Sequence, residues 1–290
     1  MIWLQGQGCT GCSVSLLNSI YYDTIDSLLV NTLDMKYNST VMASAGSLAV
    51  SAAEAARVKG GYVLVVEGAI PTGANGAYAW LWPGMTVLQG VKAYAANAKY
   101  VVAVGTCASF GGIPGALPNP TGAVGVSKVV TGKPIINIPG CPANPDWVVG
   151  TIAYILKNGK PPELDSTLRP KDYFAEKVHE KCPRKEYYEE HRSKQLSEVG
   201  CLRNLGCKGP ETRCDCPKRG WNSPAKGTRG VSWCIIAGAP CHGCTESGFP
   251  DKFSPFYSLE SALTAPSGEG GNDGESRESR SSSSRRRNDD

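Results

Sequence analysis

Three thiols, Cys234, Cys241 and Cys244, fall within residues 231–257 (VSWCIIAGAPCHGCTESGFPDKFSPFY), interrupted by Gly238, Pro240 and Gly243. Cys241 and Cys244 form a C-x-x-C, a bite short enough for two sulfurs to reach one metal centre. Glycine and proline at this density make poor helix or strand interior, so these thiols are expected to project from loops. A second C-x-x-C, Cys9 and Cys12, lies at the opposite end of the chain. Thiolates gathered this densely hold zinc or iron–sulfur clusters.

With 290 residues, the chain is long enough to bury a full core, expected as two units, and needs no disulfide staples for stability. Its 12 cysteines form an even count that also admits a set of disulfides in an exported protein. The two glycine-flanked C-x-x-C pairs favour metal-bound thiolates instead. A net charge of +4, with acids and bases mixed along the chain, argues against a nucleic-acid partner. No apolar run approaches the length of a transmembrane helix. Met1 leads into IWLQGQGCTGC without the basic-then-apolar pattern of a signal peptide, a start that is either natural or left by removal of an export signal.

Stepwise along residues 2–158, short apolar runs alternate with longer amphipathic stretches. Residues 2–4, 62–66 (YVLVV), 100–104 (YVVAV) and 134–138 (PIINI) read as strands, the last three as buried ones. Helices are expected over residues 12–29, 47–59 (ended by Gly60-Gly61), 85–97 and 145–157, the last with Asn144 as N-cap and Pro145 in its first turn. Apolar strands alternating with helices predict a doubly wound parallel sheet covered on both faces, with ligands at the carboxyl ends of the strands. Cys9 and Cys12 follow the first strand, Glu67 the second, Cys107 the third and Cys141 the fourth. Residues 1–160 are read as this α/β domain. From 161 to 265 periodicity fades while thiols, Gly, Pro and charge persist, as in an irregular domain held by metal sites. Residues 266–290 carry only Ser, Gly, charge and other small or polar residues, the composition of a disordered tail.

The thiols divide into sets. Cys9, Cys12, Cys107 and Cys141 converge on one sheet edge. His179 and Cys182, three apart on a helical turn, join Cys201 and Cys207. Cys234, Cys241 and Cys244 take one of Cys214 and Cys216, and spacing does not choose between them. His191 reads as solvated, and His242 sits inside a C-x-x-C where it cannot easily share the direction of both sulfurs. Zinc would fit any one site as a structural ion. Three thiolate sites in one chain look more like a relay, because iron–sulfur clusters change oxidation state and zinc does not.

These segments resemble the small subunit of nickel–iron hydrogenases. The resemblance is carried by CTGCSVSLLNS, VVEGAIPTG, VGTCASFGGIPGA, NPTGAVGV and INIPGCPANPDWVVGTIAYIL, then by HEKCPR, CLRNLGCKGPETR and APCHGCTESGFPDKFSPFY, in order from residue 2 to 257. It implies a flavodoxin-like domain followed by a cluster-binding domain, with three 4Fe–4S clusters. Cys9, Cys12, Cys107 and Cys141 match the proximal cluster; His179, Cys182, Cys201 and Cys207 match the distal one. Cys216, placed by Cys216-Pro217 after KGPET, joins Cys241 and Cys244 at the medial cluster. Cys234 stands where many members carry proline and a three-iron cluster; as in the nickel–iron–selenium branch, it implies a four-iron medial cluster. Cys214 has no role in the pattern and is the candidate free thiol. The proximal stretch lacks the extra thiols of oxygen-tolerant members.

So read, the chain is the electron-transfer subunit of a hydrogenase. It would carry electrons between the nickel–iron site of a large subunit and an external carrier such as a cytochrome or ferredoxin. Glu67 is a candidate contact to the large subunit or a carboxylate satisfied by local backbone donors. Trp3, Trp80, Trp82 and Trp147 are core residues or interface anchors. The alternatives are a zinc-stabilised structural module, a subunit of a related quinone oxidoreductase and, from fold alone, a flavin protein. The implied location is periplasmic or membrane-associated if an export signal was removed, otherwise cytoplasmic.

Overall fold

A computed structural model describes residues 1–257; the expectations for 258–290, the tail included, lie outside the described residues. Five parallel strands form the main sheet: β1 (Ile2–Gln5), β2 (Tyr37–Asn38), β3 (Val63–Glu67), β4 (Tyr100–Val104) and β5 (Ile135–Ile138). Their spatial order is β2-β1-β3-β4-β5, the doubly wound flavodoxin-like order, with all pairings parallel. The α/β reading therefore holds. β2 escapes a sequence reading because its two residues offer no periodicity; it pairs only Tyr37 and Asn38 with Ile2 and Trp3.

Alternate strand residues feed two cores, as the pleat requires. Trp3, Val65, Val102, Val104, Ile136 and Ile138 face one side. Ile2, Leu4, Leu64, Val66, Val101 and Ala103 face the other. Burial on both faces explains why these strands read as unbroken apolar runs. Helix α2 (Gly46–Lys59) packs Ala49 and Ala53 on the second face, beside Val87, Val91 and Tyr94 of α3 (Val87–Asn97). α2 stops at Gly60 and Gly61, both with positive φ. α3 begins at a reciprocal cap: the Gln89 N–H donates to Thr86 Oγ1 at 3.2 Å, and the Thr86 N–H to Gln89 Oε1 at 3.0 Å. That cap starts the helix two residues later than expected.

The first face is covered by α1 (Gly11–Leu16) and α5 (Pro145–Asn158), which supplies Trp147, Val148, Val149, Ile152 and Ile155. Asn144 caps α5 as expected, its side chain accepting from the Asp146 N–H at 3.0 Å. The helix expected over residues 12–29 is instead two short pieces. α1 ends at Leu16, and a helical turn resumes only at Ile25–Ser27. Between them Ser19 Oγ donates to the Asp23 carbonyl at 3.1 Å and Asp23 Oδ2 accepts from Ser27 Oγ at 2.8 Å, so short polar side chains take over backbone partners that a helix would use.

The first-face core does not stop at residue 160. It continues through Tyr173, Phe174, Val178, Leu202, Leu205, Trp233 and Ile235, and reaches the buried Cys207 and Cys241. Regular structure in this region is limited to single turns such as Lys171–Phe174, Val178–Lys181, Leu202–Leu205 and Cys216–Arg219.

Candidate metal-cluster sites

All twelve cysteines are free thiols, which removes the disulfide reading. The first set gathers at the carboxyl edge of the sheet. Cys9 and Cys12 follow β1 at the start of α1, Cys107 lies in α4 (Gly105–Phe110) directly after β4, and Cys141 follows β5. This is the crevice where strand order reverses between β1 and β3, the usual ligand position of such sheets. Glycines clear the space around these sulfurs. A Cβ built at Gly105 would lie 2.5 Å from Cys12 Sγ, one at Gly11 3.0 Å from Cys9 Sγ, and one at Gly112 3.0 Å from Cys107 Sγ. Burial pushes the Cys12 thiol far above its ordinary range, and Cys107 up to about 11, with the neighbouring Cys141 reinforcing the latter. Both are therefore neutral in the metal-free chain and must release protons on ligation.

Glu67, the last residue of β3, supports this edge from inside. It is buried, and its oxygens accept from the N–H groups of Cys12 and Ser13 at 2.9 and 3.1 Å, from Ser13 Oγ at 2.5 Å, and from Trp3 Nε1 at 3.0 Å. Gln5 Nε2 adds a fifth donor at 3.3 Å. The carboxylate thus holds the first turn of α1, and with it Cys12.

The second set lies in the irregular region. His179 sits in the turn Val178–Lys181, whose following residue is Cys182, so the three-residue spacing does share a turn. His179, Cys182, Cys201 and Cys207 line one small, tight pocket together with Leu202 and Ile235. The ring of Tyr188 lies 4.5 Å from that of His179. Burial, then Lys185 and Arg203, lower the His179 pKa and favour the neutral imidazole that a metal requires. Backbone donors already aim at the sulfurs: Arg184 N–H at Cys182 Sγ, and Gly209 N–H and Cys241 N–H at Cys207 Sγ, each at 3.4 Å.

The third set expected from the sequence is Cys216, Cys234, Cys241 and Cys244. The Cys244 thiol is pushed up by burial and then by Cys216, with smaller effects from Cys234 and Cys141, so its field includes members of its own set and of the first. Asp215, beside Cys216, accepts from Trp147 Nε1 at 2.6 Å and from Arg219 Nε at 2.8 Å, which ties the turn Cys216–Arg219 to α5. Buried Arg169 donates to the Thr245 carbonyl at 3.1 Å and to Glu246 Oε1 at 3.0 Å, fixing the chain just past Cys244. Trp233 Nε1 and His242 Nε2 are buried beside this set with no partner among the described residues, two orphaned polar atoms of the kind that a bound polar group satisfies. Cys214 is buried. The neighbouring Cys216 thiol, and then its burial, push its thiol up and hold it neutral.

Of the other residues singled out in the sequence, Trp3 and Trp147 are core while Trp80 is 56% exposed. His191 is exposed, and His242 stacks on Phe256 at 5.0 Å. Sequence reasoning missed Thr106, Asp215 and Arg169, which carry neither thiol nor imidazole and gain significance through long-range contacts.

A sheet edged with thiols, followed by an irregular cysteine-rich region, defines a class of oxidoreductase subunit. Residues 9–155 match the family described as NADH ubiquinone oxidoreductase, 20 Kd subunit, and residues 174–257 the one described as the C-terminal part of the NiFe/NiFeSe hydrogenase small subunit. The periplasmic NiFeSe hydrogenase small subunit of Desulfomicrobium baculatum is 39% identical over 282 residues, covering 90% of this chain and 87% of that protein. The periplasmic NiFe hydrogenase small subunit 1 of Nitratidesulfovibrio vulgaris is 40% identical, covering 89% and 81%. Among solved structures, the reduced, active Ni-Fe-Se hydrogenase of Desulfomicrobium baculatum superposes with a TM-score of 0.83 at 39% identity, covering 89% of this chain and 98% of that one. The chain belongs to the family of nickel–iron and nickel–iron–selenium hydrogenase small subunits, which work in complex with a large catalytic subunit. The second matched region separates it from the quinone oxidoreductase subunits that share the first. No helix among the described residues is long and apolar enough to cross a membrane.

Proposed function

We propose that this hydrogenase small subunit relays electrons between the large subunit's site and an external carrier through three 4Fe–4S clusters. The ligands in this reading are Cys9, Cys12, Cys107 and Cys141 for the proximal cluster and Cys216, Cys234, Cys241 and Cys244 for the medial. His179, Cys182, Cys201 and Cys207 hold the distal. When bound, the clusters supply one-electron chemistry. The chain's own residues do the rest: glycines leave room beside the first sulfurs, Glu67 fixes α1, and amide N–H groups face the thiolates of the second set.

The observation that carries the reading is contact between consecutive sets. The Cys241 N–H reaches Cys207 Sγ at 3.4 Å, and Thr106, next to Cys107, donates its hydroxyl to the Cys244 carbonyl. Three isolated structural ions would have no need of such adjacency. The names of the relatives support a periplasmic location. Glu67 acts in this reading from within, by holding a ligand loop.

Purification together with the large subunit and metal analysis test the reading. The expected result is about twelve irons with matching sulfide on this chain, as three four-iron clusters require. Zinc without iron or sulfide would overturn it.

A further inference from the structure

Resting on the relay reading, we infer that the hydroxyl of Thr106 is a positioning group that sets the placement of the proximal thiols relative to the medial ones. Thr106 is completely buried, in the first turn of α4 and next to Cys107. Its N–H donates to the Gly140 carbonyl at 3.0 Å, and the Gly140 N–H donates back to Thr106 Oγ1 at 2.9 Å. The loop after β4 is thereby locked to the loop after β5, where Gly140 precedes Cys141. The hydroxyl proton goes elsewhere: Thr106 Oγ1 donates to the backbone carbonyl of Cys244. One hydroxyl therefore accepts from a proximal loop and donates to a medial ligand.

Cys244 is gripped from its other side as well. Arg169, 4% exposed, binds the carbonyl of Thr245 and the carboxylate of Glu246, and is itself oriented by Asp165 Oδ2 at 2.8 Å. The loop bearing Asp165 is fastened to β5, because the Asn137 N–H donates to the Leu168 carbonyl at 2.8 Å and Asn137 Nδ2 to the Thr167 carbonyl at 2.9 Å. Arg169 and Thr106 thus hold the Cys244 segment against the same sheet edge from two directions. Of these contacts only the Thr106 hydroxyl joins backbone from both ligand sets directly. A buried hydroxyl with both partners made is costly to remove, and neither partner can turn to water. Electron tunnelling falls steeply with separation, so a group that fixes this spacing governs the proximal-to-medial step without touching either sulfur.

The test uses the intact two-subunit enzyme carrying T106V, which keeps β-branching and volume but lacks the hydroxyl, and T106S, which restores it. Iron and sulfide content, the magnetic splitting between reduced proximal and medial clusters, and the medial reduction potential are read beside the rate of internal electron transfer. The expected result is T106V with wild-type iron content, an altered splitting and severalfold slower transfer, and T106S close to wild type. Unchanged splitting and rate in T106V overturn the inference, as does T106S behaving like T106V. If T106V does not assemble, T106A removes the hydroxyl without added bulk, and the same outcomes apply. Failure of the relay reading shows separately, as wild-type protein without iron and sulfide.

Discussion

The amide N–H of Cys241 donates to the Sγ of Cys207 at 3.4 Å, although sequence places the two in different ligand sets. Cys207 also receives the Gly209 N–H, so one sulfur collects two backbone donors, whereas among the described residues Cys182 collects that of Arg184 alone. Removing Cys207 should therefore be felt in two places. C207A is expected to lower iron from about twelve to about eight and to shift the medial EPR signal as well. C182A should cause the same iron loss, with a medial signal that differs from that of C207A. Equal medial spectra in the two variants would contradict the contact.

Gly105 and Gly84 offer a matched pair. Both have positive φ, +83° and +86°, but a Cβ at Gly105 meets Cys12 Sγ at 2.5 Å, whereas at Gly84 it meets nothing within 4 Å. Each alanine variant carries backbone strain of about 1–2 kcal/mol. Only G105A is expected to lose proximal iron as well, as counted by metal analysis after purification under identical conditions.

Cys234 should decide the nuclearity of the medial cluster. Wild-type protein, freshly oxidised, is expected to lack a strong three-iron EPR signal. C234A leaves three thiols at that set and should show one. A strong three-iron signal already present in the intact wild type would count against the four-thiol assignment.

Glu67 accepts five hydrogen bonds in a buried setting. E67Q keeps the shape but turns an NH₂ group toward donors, leaving buried groups unpaired at a cost of about 2–3 kcal/mol. Denaturant unfolding of the cluster-free chain should show that loss, and the Cys12 loop should become more open to amide exchange.

The pH dependence of His179 has a definite sign. Burial, Lys185 and Arg203 lower its pKa from 6.5, so folding favours the neutral ring. Its contribution to stability is present above pH 6.5 and is lost as pH falls through the lowered folded value. An imidazole NMR titration of the cluster-free chain should give a midpoint below 6.5, and a midpoint above it would reverse the argument.

What could be read from the sequence follows from what was local. Runs such as YVLVV and YVVAV announce strands because both faces of the sheet are covered, and Asn144-Pro145 announces α5 within three residues. The break after Leu16 was not legible, since Ser19 and Asp23 become helix stoppers only through the particular bonds they make. Ligand residues stood out by chemistry and spacing. Thr106, Arg169 and Asp215 did not, because each works across 68 to 138 positions of chain, as in Trp147 to Asp215 and Thr106 to Cys244. At Gly105, only the folded chain reveals that Cys12 Sγ occupies the space a side chain would fill.

The apolar body that starts at Trp3 beneath the sheet and runs on to Cys207 and Cys241 has an electrical consequence. Matter of this kind polarises weakly, with an effective permittivity far below that of water. In the relay proposed above, charge hopping between sites set in it would force few dipoles to reorient and so keep the reorganisation energy of each hop small. The packing that gives the irregular half of the chain its shape would thereby also insulate the proposed conductor.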